Sequence, residues 1–497
     1  MTGSEQVERE LKFIAARDLD LASVVASVHH DLIADEPETR QLHASYFDTS
    51  DLRLARAGAS LRHRDDDGWT VKLARPSGVA LERSELHVDG PAGDPPAAAV
   101  DLVHALIRRA PLQLAAHLDT TRTRIVLRDA DGEMLAELVD DDVSVHNGSA
   151  SSTTEFRELE VEFAAGTSAE LVDRIAEYLR RSGAGEPEHL SKIARALGPR
   201  ALDAPDLVPP SDLDFASTPT EVLRAAIARS TARLLAHDPG VRLGADPEDV
   251  HQARVATRRI RSDLRTFREV VDPGWDESLR SELEWLGDLL GVVRDTDVLL
   301  DRLEARVTSL DPADQPLGAQ LLDGLRTQRS AARDELLAGL RSDRYLDLLE
   351  RLLAASRAVP SSVADLELDL GDVVAKPWKK LRKAVKALGD DPPDEELHKV
   401  RIRAKRARYA AEAVTPALGK GAKRFASAVA DLQDVLGEHQ DAVVAGQWLR
   451  DHRSDDVSTA FVAGRLAGIE DAAAQASREE WESVWKKARR PKLRKWM

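Results

Sequence analysis

A chain of 497 residues is too long for one ordinary core, and two or three domains are expected. Hydrophobic residues at 42% and charged residues at 32% exclude a disordered protein. The absence of cysteine excludes disulfides and thiolate metal sites. No apolar run approaches the roughly 20 residues of a membrane span. The opening, MTGSEQVERELKF, is too acidic and polar for a secretory signal, so a cytoplasmic protein with no membrane partner is expected. The net charge of −17 would argue against a polyanion partner if it were evenly spread. Instead, positive charge gathers at Arg254–Arg268, Lys376–Lys386, Lys399–Arg408 and Lys486–Lys495, and local fields govern anion capture.

Up to about residue 200 the pattern has a period of two. VERELKF, ASLRHR, WTVKLAR, RSELHV, RTRIVL, EMLAELV and FRELEVEF are short alternating runs, with turn signals at Asp67-Gly68 and Asp131-Gly132. Helices are expected near Leu19–Ile33 and Ala169–Arg181, giving an α+β domain with an antiparallel sheet over 1–200. The stretch Pro199–Pro219 supplies a linker, placed at 201–217. From 218 to 497 the spacing is helical, broken at Asp272-Pro273-Gly274, Val359-Pro360 and Asp391-Pro392-Pro393, which reads as an all-α bundle.

That bundle repeats itself. The run from His251 through Arg254, Arg258 and Arg261 matches the run from His398 through Arg401, Lys405 and Arg408. A second pair of elements follows each histidine at similar spacing: Leu286-Gly-Asp-Leu-Leu-Gly291 with Asp295, and Leu432-Gln-Asp-Val-Leu-Gly437 with Asp441. Matched motifs in matched order point to a duplicated helical unit.

Residues two apart on a strand share a face. Glu8, Glu10 and Lys12 therefore point one way, and Val7, Leu11 and Phe13 the other. Arg62 and Arg64 share a face, as do Arg83 and Glu85, Arg122 and Arg124, and Glu158, Glu160 and Glu162. Any one such strand reads as a solvated sheet face. As a set, acids dominate the first and last strands and bases the middle ones, whereas a solvated face mixes signs. This segregation points to a closed interior, with carboxylates for hard divalent cations and guanidinium groups for phosphate oxygens.

Glu8-x-Glu10-x-Lys12 resembles the signature of the CYTH superfamily, the triphosphate tunnel metalloenzymes. The resemblance spans roughly residues 5–200 and takes in Tyr46-Phe47-Asp48-Thr49, Arg62/Arg64, Lys72, Glu82-Arg83-Ser84-Glu85, Arg122/Arg124, Glu158–Glu162 and Ser191-Lys192. It implies an eight-stranded antiparallel β-tunnel with flanking helices that binds triphosphate with Mg²⁺ or Mn²⁺. By that resemblance Glu8, Glu10, Glu160 and Glu162 are metal ligands, with Glu158 an alternative to Glu162. Glu8, Glu10 and Lys12 form the catalytic set. Lys12, Arg62, Arg64, Lys72, Arg122, Arg124 and Lys192 clamp phosphates, and Glu85, Glu137 and Asp141 (or Asp140 or Asp142) complete the lining. Lys12 is open to two roles, clamp or leaving-group donor.

On the first histidine helix, His251, Arg254, Arg258, Arg261 and Arg265 fall within an arc of about 80° at 3.6 residues per turn. The second places His398, Arg401, Lys405 and Arg408 equivalently, and acids at i±4 are nearly absent from the face. Two such helices facing each other line a cationic groove. Asp295 and Asp441 are expected to orient bases or cap helices. This half resembles the CHAD domain over 218–497, which implies polyphosphate binding through those eight His, Arg and Lys residues and association with polyphosphate granules. The basic tail Lys486–Lys495 either extends that surface or frays.

The combined expectation is metal-dependent hydrolysis of inorganic triphosphate in the tunnel, with polyphosphate held by the helical domain. A non-catalytic polyphosphate-binding protein, or a tunnel acting on thiamine triphosphate or ATP, are the alternatives. Aromatics make up only 4% of the chain, which disfavours a nucleoside pocket and a nucleic-acid partner.

Overall fold

The computed structural model describes residues 5–497 except 18, 22–23, 26–31, 75–80, 147–153, 165, 189, 210–211, 362–368 and 453–454. It divides into two units, Met1–Asp206 and Leu207–Met497.

In the first unit the strands are β1 (Glu5–Ile14), β2 (Ile33–Ala34), β3 (Glu38–Asp48), β4 (Ser60–Arg64) and β5 (Gly68–Ala74). They continue with β6 (Leu81–Val88), β7 (Gln113–Arg128), β8 (Met134–His146), β9 (Thr154–Phe163) and β10 (Pro187–Glu188). Every pairing is antiparallel, in the order β1-β6-β5-β4-β3-β7-β8-β9, and β1 pairs again with β9. Eight strands thus close a ring. The first strand makes the closure with its two halves: Glu5–Glu10 lie against β6, and Glu10–Ile14 against β9. Gly68 and Gly132, in the two expected tight turns, take positive φ of 71° and 87°, which a side chain would strain.

Alternation sends apolar side chains outward and charges inward. Phe13, Leu159 and Val161 pack with Ile125 and Leu138 beneath Leu171, Ile175 and Leu179 of the helix Ala169–Arg181. Between them, Glu10, Lys12, Glu158 and Glu160 turn into the bore. The helix expected over 19–33 lies largely outside the described residues, and its last residue, Ile33, belongs instead to β2, paired with Arg128. Three helices beyond the expected pair are present: Arg53–Arg56, Ala97–Ile107 and Lys192–Leu197. The second begins after Pro96, which offers no capping side chain and so leaves no start signal in the sequence.

The second unit is all helical. Its first histidine helix (Pro247–Thr266) packs between Pro219–Leu243 and the long Pro273–Thr308. The second histidine helix (Asp394–Leu418) packs between Leu370–Lys386 and the long Lys420–Asp451. The duplicated sequence is thus a duplicated trio of helices, and the two histidine helices pack on each other. Asp246 caps the first through the Glu248 amide, with Pro247 in its first turn. No helix among the described residues is long and apolar enough to cross a membrane.

Candidate active site and basic groove

The ring encloses a cavity of about 240 Å³ whose two walls differ in charge. On the wall of β1, β8 and β9, one carboxylate oxygen each from Glu10, Glu160 and Glu162 lie within 4.8 Å of one another. Asp141, Glu158 and Glu160 form a second such group. Cations fill the gaps between these acids. Lys12 Nζ lies 2.6 Å from Glu160 and 3.3 Å from Glu10. Lys192 Nζ bonds Asp141 and sits 3.0 Å from Glu158 and 3.7 Å from Glu160. Arg122 donates to both oxygens of Asp141, at 2.9 and 2.7 Å. Ser191 sets the position of Lys192: its hydroxyl accepts the Ala194 amide and starts the short helix whose Ile193, Ala194 and Ala196 are buried.

The opposite wall comes from β4, β5 and β6. Arg62, Arg64 and Lys72 project from the first two, and Glu85 receives Lys72 at 2.9 Å and Arg62 at 3.3 Å. Asp67, in the β4–β5 turn, holds Arg62, Arg64 and His87 at 3.3–3.5 Å. The turn after β3 is fixed by Asp48, whose carboxylate accepts the amides of Thr49, Leu54 and Ala55.

This pairing dictates the protonation states. Burial opposes charge on Lys12, Lys192 and Arg122, yet the surrounding carboxylates raise all three above their ordinary pKa. Burial likewise disfavours a charged Glu160, but Lys12, Lys192 and Arg122 hold it well below the usual carboxylate range. Glu158 differs: burial, reinforced by Glu160, outweighs Lys192 and raises it. Burial would raise the Tyr46 phenol, and Arg62 with Lys192 brings it below its ordinary value instead.

Most of the residues singled out in the sequence line this one cavity: Glu10, Lys12, Arg62, Arg64, Lys72, Glu85, Arg122, Glu160, Glu162 and Lys192. Arg124 does not. It is tied to both oxygens of Glu137 and lies outside the lining. The side chain of Glu8 lies outside the described residues, and its backbone pairs with Arg83. Asp141 faces inward, whereas Asp140 is taken by Arg157 at 2.8 Å on the other face. Tyr46, Asp67 and His87 also line the cavity without a role assigned from sequence. His87 was accessible to the alternation rule, two residues beyond Glu85. Asp67 was not, being visible only as a turn.

In the helical unit, a groove of about 360 Å³ runs along the two histidine helices, lined by Arg254, Arg258, Arg261, His398, Arg401 and Lys405. The expectation that this face lacks local acids needs correction. Arg254 meets Asp295 at 2.7 Å, Arg261 meets Glu284, and Arg408, outside the lining, meets Glu412 at 2.8 Å and lies over Tyr409, which does line the groove. Two of these acids come from the neighbouring long helix, which i±4 reasoning cannot see. Arg258, Arg401 and Lys405 have no ion-pair partner among the described residues. Burial together with Arg258, Arg401 and Arg254 pulls Lys405 down to about 7. His251 is half-buried outside the lining; burial and Arg294 lower its pKa. His398 Nδ1 is buried without a hydrogen-bond partner.

The glycines of the second matched elements have the same job twice. A Cβ on Gly291 would stand 3.6 Å from the Arg254 guanidinium, and one on Gly437 would stand 3.6 Å from that of Arg401. Each glycine makes the shelf on which its arginine lies.

A closed antiparallel ring with a bore lined by acids and bases, followed by a duplicated basic bundle, defines a two-module architecture. The CYTH domain is matched over residues 6–197 and the CHAD domain over 225–450. The uncharacterized protein Rv2226 of Mycobacterium tuberculosis is 33% identical, over 97% of this chain and 96% of that protein. Among solved structures, PptA from Streptomyces chartreusis is similar to 55% of this chain over 100% of its own, with 24% identity and a TM-score of 0.47. The CHAD domain of the plant Ricinus communis covers 56% of this chain and 96% of its own, with 26% identity and a TM-score of 0.46. The chain belongs to the family that joins a CYTH domain, the metal-dependent triphosphate-tunnel type, to a CHAD domain.

Proposed function

We propose that the tunnel hydrolyses inorganic triphosphate with Mg²⁺ or Mn²⁺ and that the groove of the helical domain holds polyphosphate, which would bring the protein to polyphosphate granules. The observation that carries this reading is the single cavity of about 240 Å³ in which a wall richer in carboxylates, with Lys12, Arg122 and Lys192 among them, faces a wall richer in bases, with Glu85 and Asp67 among them. Its one phenyl-type ring among the described residues, Tyr46, is buried and 5% exposed, which leaves only the His87 imidazole to meet a base. That favours the inorganic substrate over thiamine triphosphate or ATP.

Glu10, Glu160 and Glu162 form an all-oxygen donor set, the kind that hard divalent cations take. A cation held there would neutralise phosphate oxygens and the charge developing on the leaving group. Arg62, Arg64 and Lys72 bind and orient the chain from the far wall, and Arg122 and Lys192 from the near one. Lys12 now compensates the same carboxylates that would take the cation. Once they are compensated otherwise, its ammonium is released toward a phosphate oxygen. Glu158, raised by burial, is the tunnel carboxyl suited to keep a proton.

The test is phosphate release from inorganic triphosphate with Mg²⁺ or Mn²⁺, comparing wild type, Glu10→Gln and Arg254→Ala/Arg401→Ala. Turnover lost in the first variant and kept in the second supports a tunnel enzyme with a separate polyphosphate holder. No turnover in any form, with polyphosphate binding lost in the double variant, leaves a binding protein.

A further inference from the structure

The basic tail is neither frayed nor part of the groove. It folds into a turn, Pro491–Arg494, and docks on aromatic rings. The Arg494 guanidinium lies over Trp378 at 5.2 Å, and Trp496 lies 6.0 Å from Phe425. A Cβ on Gly421 would meet Trp496 at 3.0 Å, so the fit there is close. The docked tail and the helix Leu370–Lys386 form the walls of a cavity of about 930 Å³. Lys379, Arg382, Lys383 and Lys386 stand on one side and Arg489, Arg490 and Arg494 on the other. The lining contains only two acids, Asp390 and Glu482, and Glu482 is taken by Lys486 at 3.5 Å. None of the seven bases just named has a carboxylate partner among the described residues. Lys383, Lys386 and Lys486 also answer helix C-termini. The others exceed that need, in a chain whose net charge is −17.

This cavity is linked to the groove by cations. Arg265 and Arg406 line both the groove and an intermediate cavity of about 280 Å³. The intermediate cavity is also lined by Lys380, Arg403 and Arg268, and by Lys376 and Arg280, which its two acids, Glu269 and Asp276, hold at 2.7 and 2.9 Å; Lys376 and Lys380 neighbour Lys379 and Lys383 on the same helix. We propose that the tail cavity is a second station for inorganic polyphosphate, reached only by chains long enough to occupy the groove as well; this rests on the groove's reading as a polyphosphate site. Two linked stations make the second contact intramolecular, so affinity climbs with chain length. Single-stranded nucleic acid fits less well. Trp481 and Trp485 in the floor are 6% and 8% exposed, and Trp485 packs on Trp378 at 5.4 Å, so neither is free to stack on a base.

The experiment titrates the full chain with inorganic polyphosphates of increasing defined length, and with oligodeoxythymidylate of equal charge as the competing class. It compares wild type with Lys383→Ala/Arg490→Ala and with the groove variant Arg401→Ala/Lys405→Ala. The altered side chains of the tail variant are exposed, so folding should be retained, as checked by thermal melting. The expected result is unchanged short-chain affinity in the tail variant, with long-chain affinity lower by at least about tenfold and a shallower salt dependence. Long-chain binding equal to wild type in that variant overturns the second station. Equal affinity for oligodeoxythymidylate, lost in the tail variant, overturns the polyphosphate assignment. A groove variant that binds every length normally overturns the groove reading instead, whatever the tail variant does.

Discussion

The tunnel and the groove both concentrate cations, but they hold them in opposite states. In the tunnel Lys12, Lys192, Arg62, Lys72 and Arg122 each touch a carboxylate. Against the opposing effect of burial, the neighbouring carboxylates raise Lys12, Lys192 and Arg122 above their ordinary pKa, and Tyr46 with Glu85 does so for Arg62. In the groove Arg258, Arg401 and Lys405 have no ion-pair partner among the described residues, and burial lowers Arg401 and Lys405 although Asp441 opposes it. A neutralised site must exchange partners to admit an anion, which makes entry selective and dependent on a compensating cation. A site only partly compensated, as the groove is with Asp295 on Arg254 and Glu284 on Arg261, gains from any polyanion that arrives. One arrangement suits chemistry on a short substrate, the other retention of a long one.

The comparison breaks most visibly at Glu160, which serves both carboxylate groups of the tunnel. Glu160→Gln should lower triphosphate turnover by about 100- to 1,000-fold in a phosphate-release assay while leaving polyphosphate affinity intact. The converse change, Arg401→Ala/Lys405→Ala, should weaken polyphosphate binding by about 10- to 100-fold in calorimetry, with turnover unchanged.

The pH profile sharpens the contrast. Lys405, lowered to about 7, is charged below that pH and increasingly neutral above it. A polyanion favours the charged form, so binding should be tightest below pH 7. As pH rises toward 8.5 it should weaken several-fold, up to about tenfold, with proton uptake detectable in buffers of different ionisation enthalpy. Lys405→Arg should flatten the profile. Lys12, Lys192, Arg62 and Arg122, raised above their ordinary values, should show no such loss over this range. The smallest expected effect is at the arginine shelf: a Cβ on Gly437 would meet Arg401 at 3.6 Å, ordinary contact, so Gly437→Ala should change polyphosphate affinity in calorimetry by less than about twofold, roughly 0.4 kcal/mol.

Much of this was legible in the chain because each half announces its period. Alternation over β1 and β9 separated Glu10, Lys12, Glu160 and Glu162 from Phe13, Leu159 and Val161 before any contact was known. The duplicated trio was legible because its histidines and glycines recur at matched spacing. What escaped was set by partners distant in sequence. Asp295 was expected to orient a base and does so at Arg254, but Glu284, which meets Arg261, sits on the next helix, and Arg124 is held by Glu137 on the next strand. The helices Arg53–Arg56 and Lys192–Leu197 are too short for a period to register.

The closed ring has one more consequence, for crowding. A protein gathered along a polyanion meets its own copies at high local density, where an open sheet edge invites strand-to-strand stacking. Here eight strands satisfy one another around the circle. Among the described residues only β2 and β10, two residues each, are left at a margin. The fold that shapes the bore also removes the template on which neighbouring copies would aggregate.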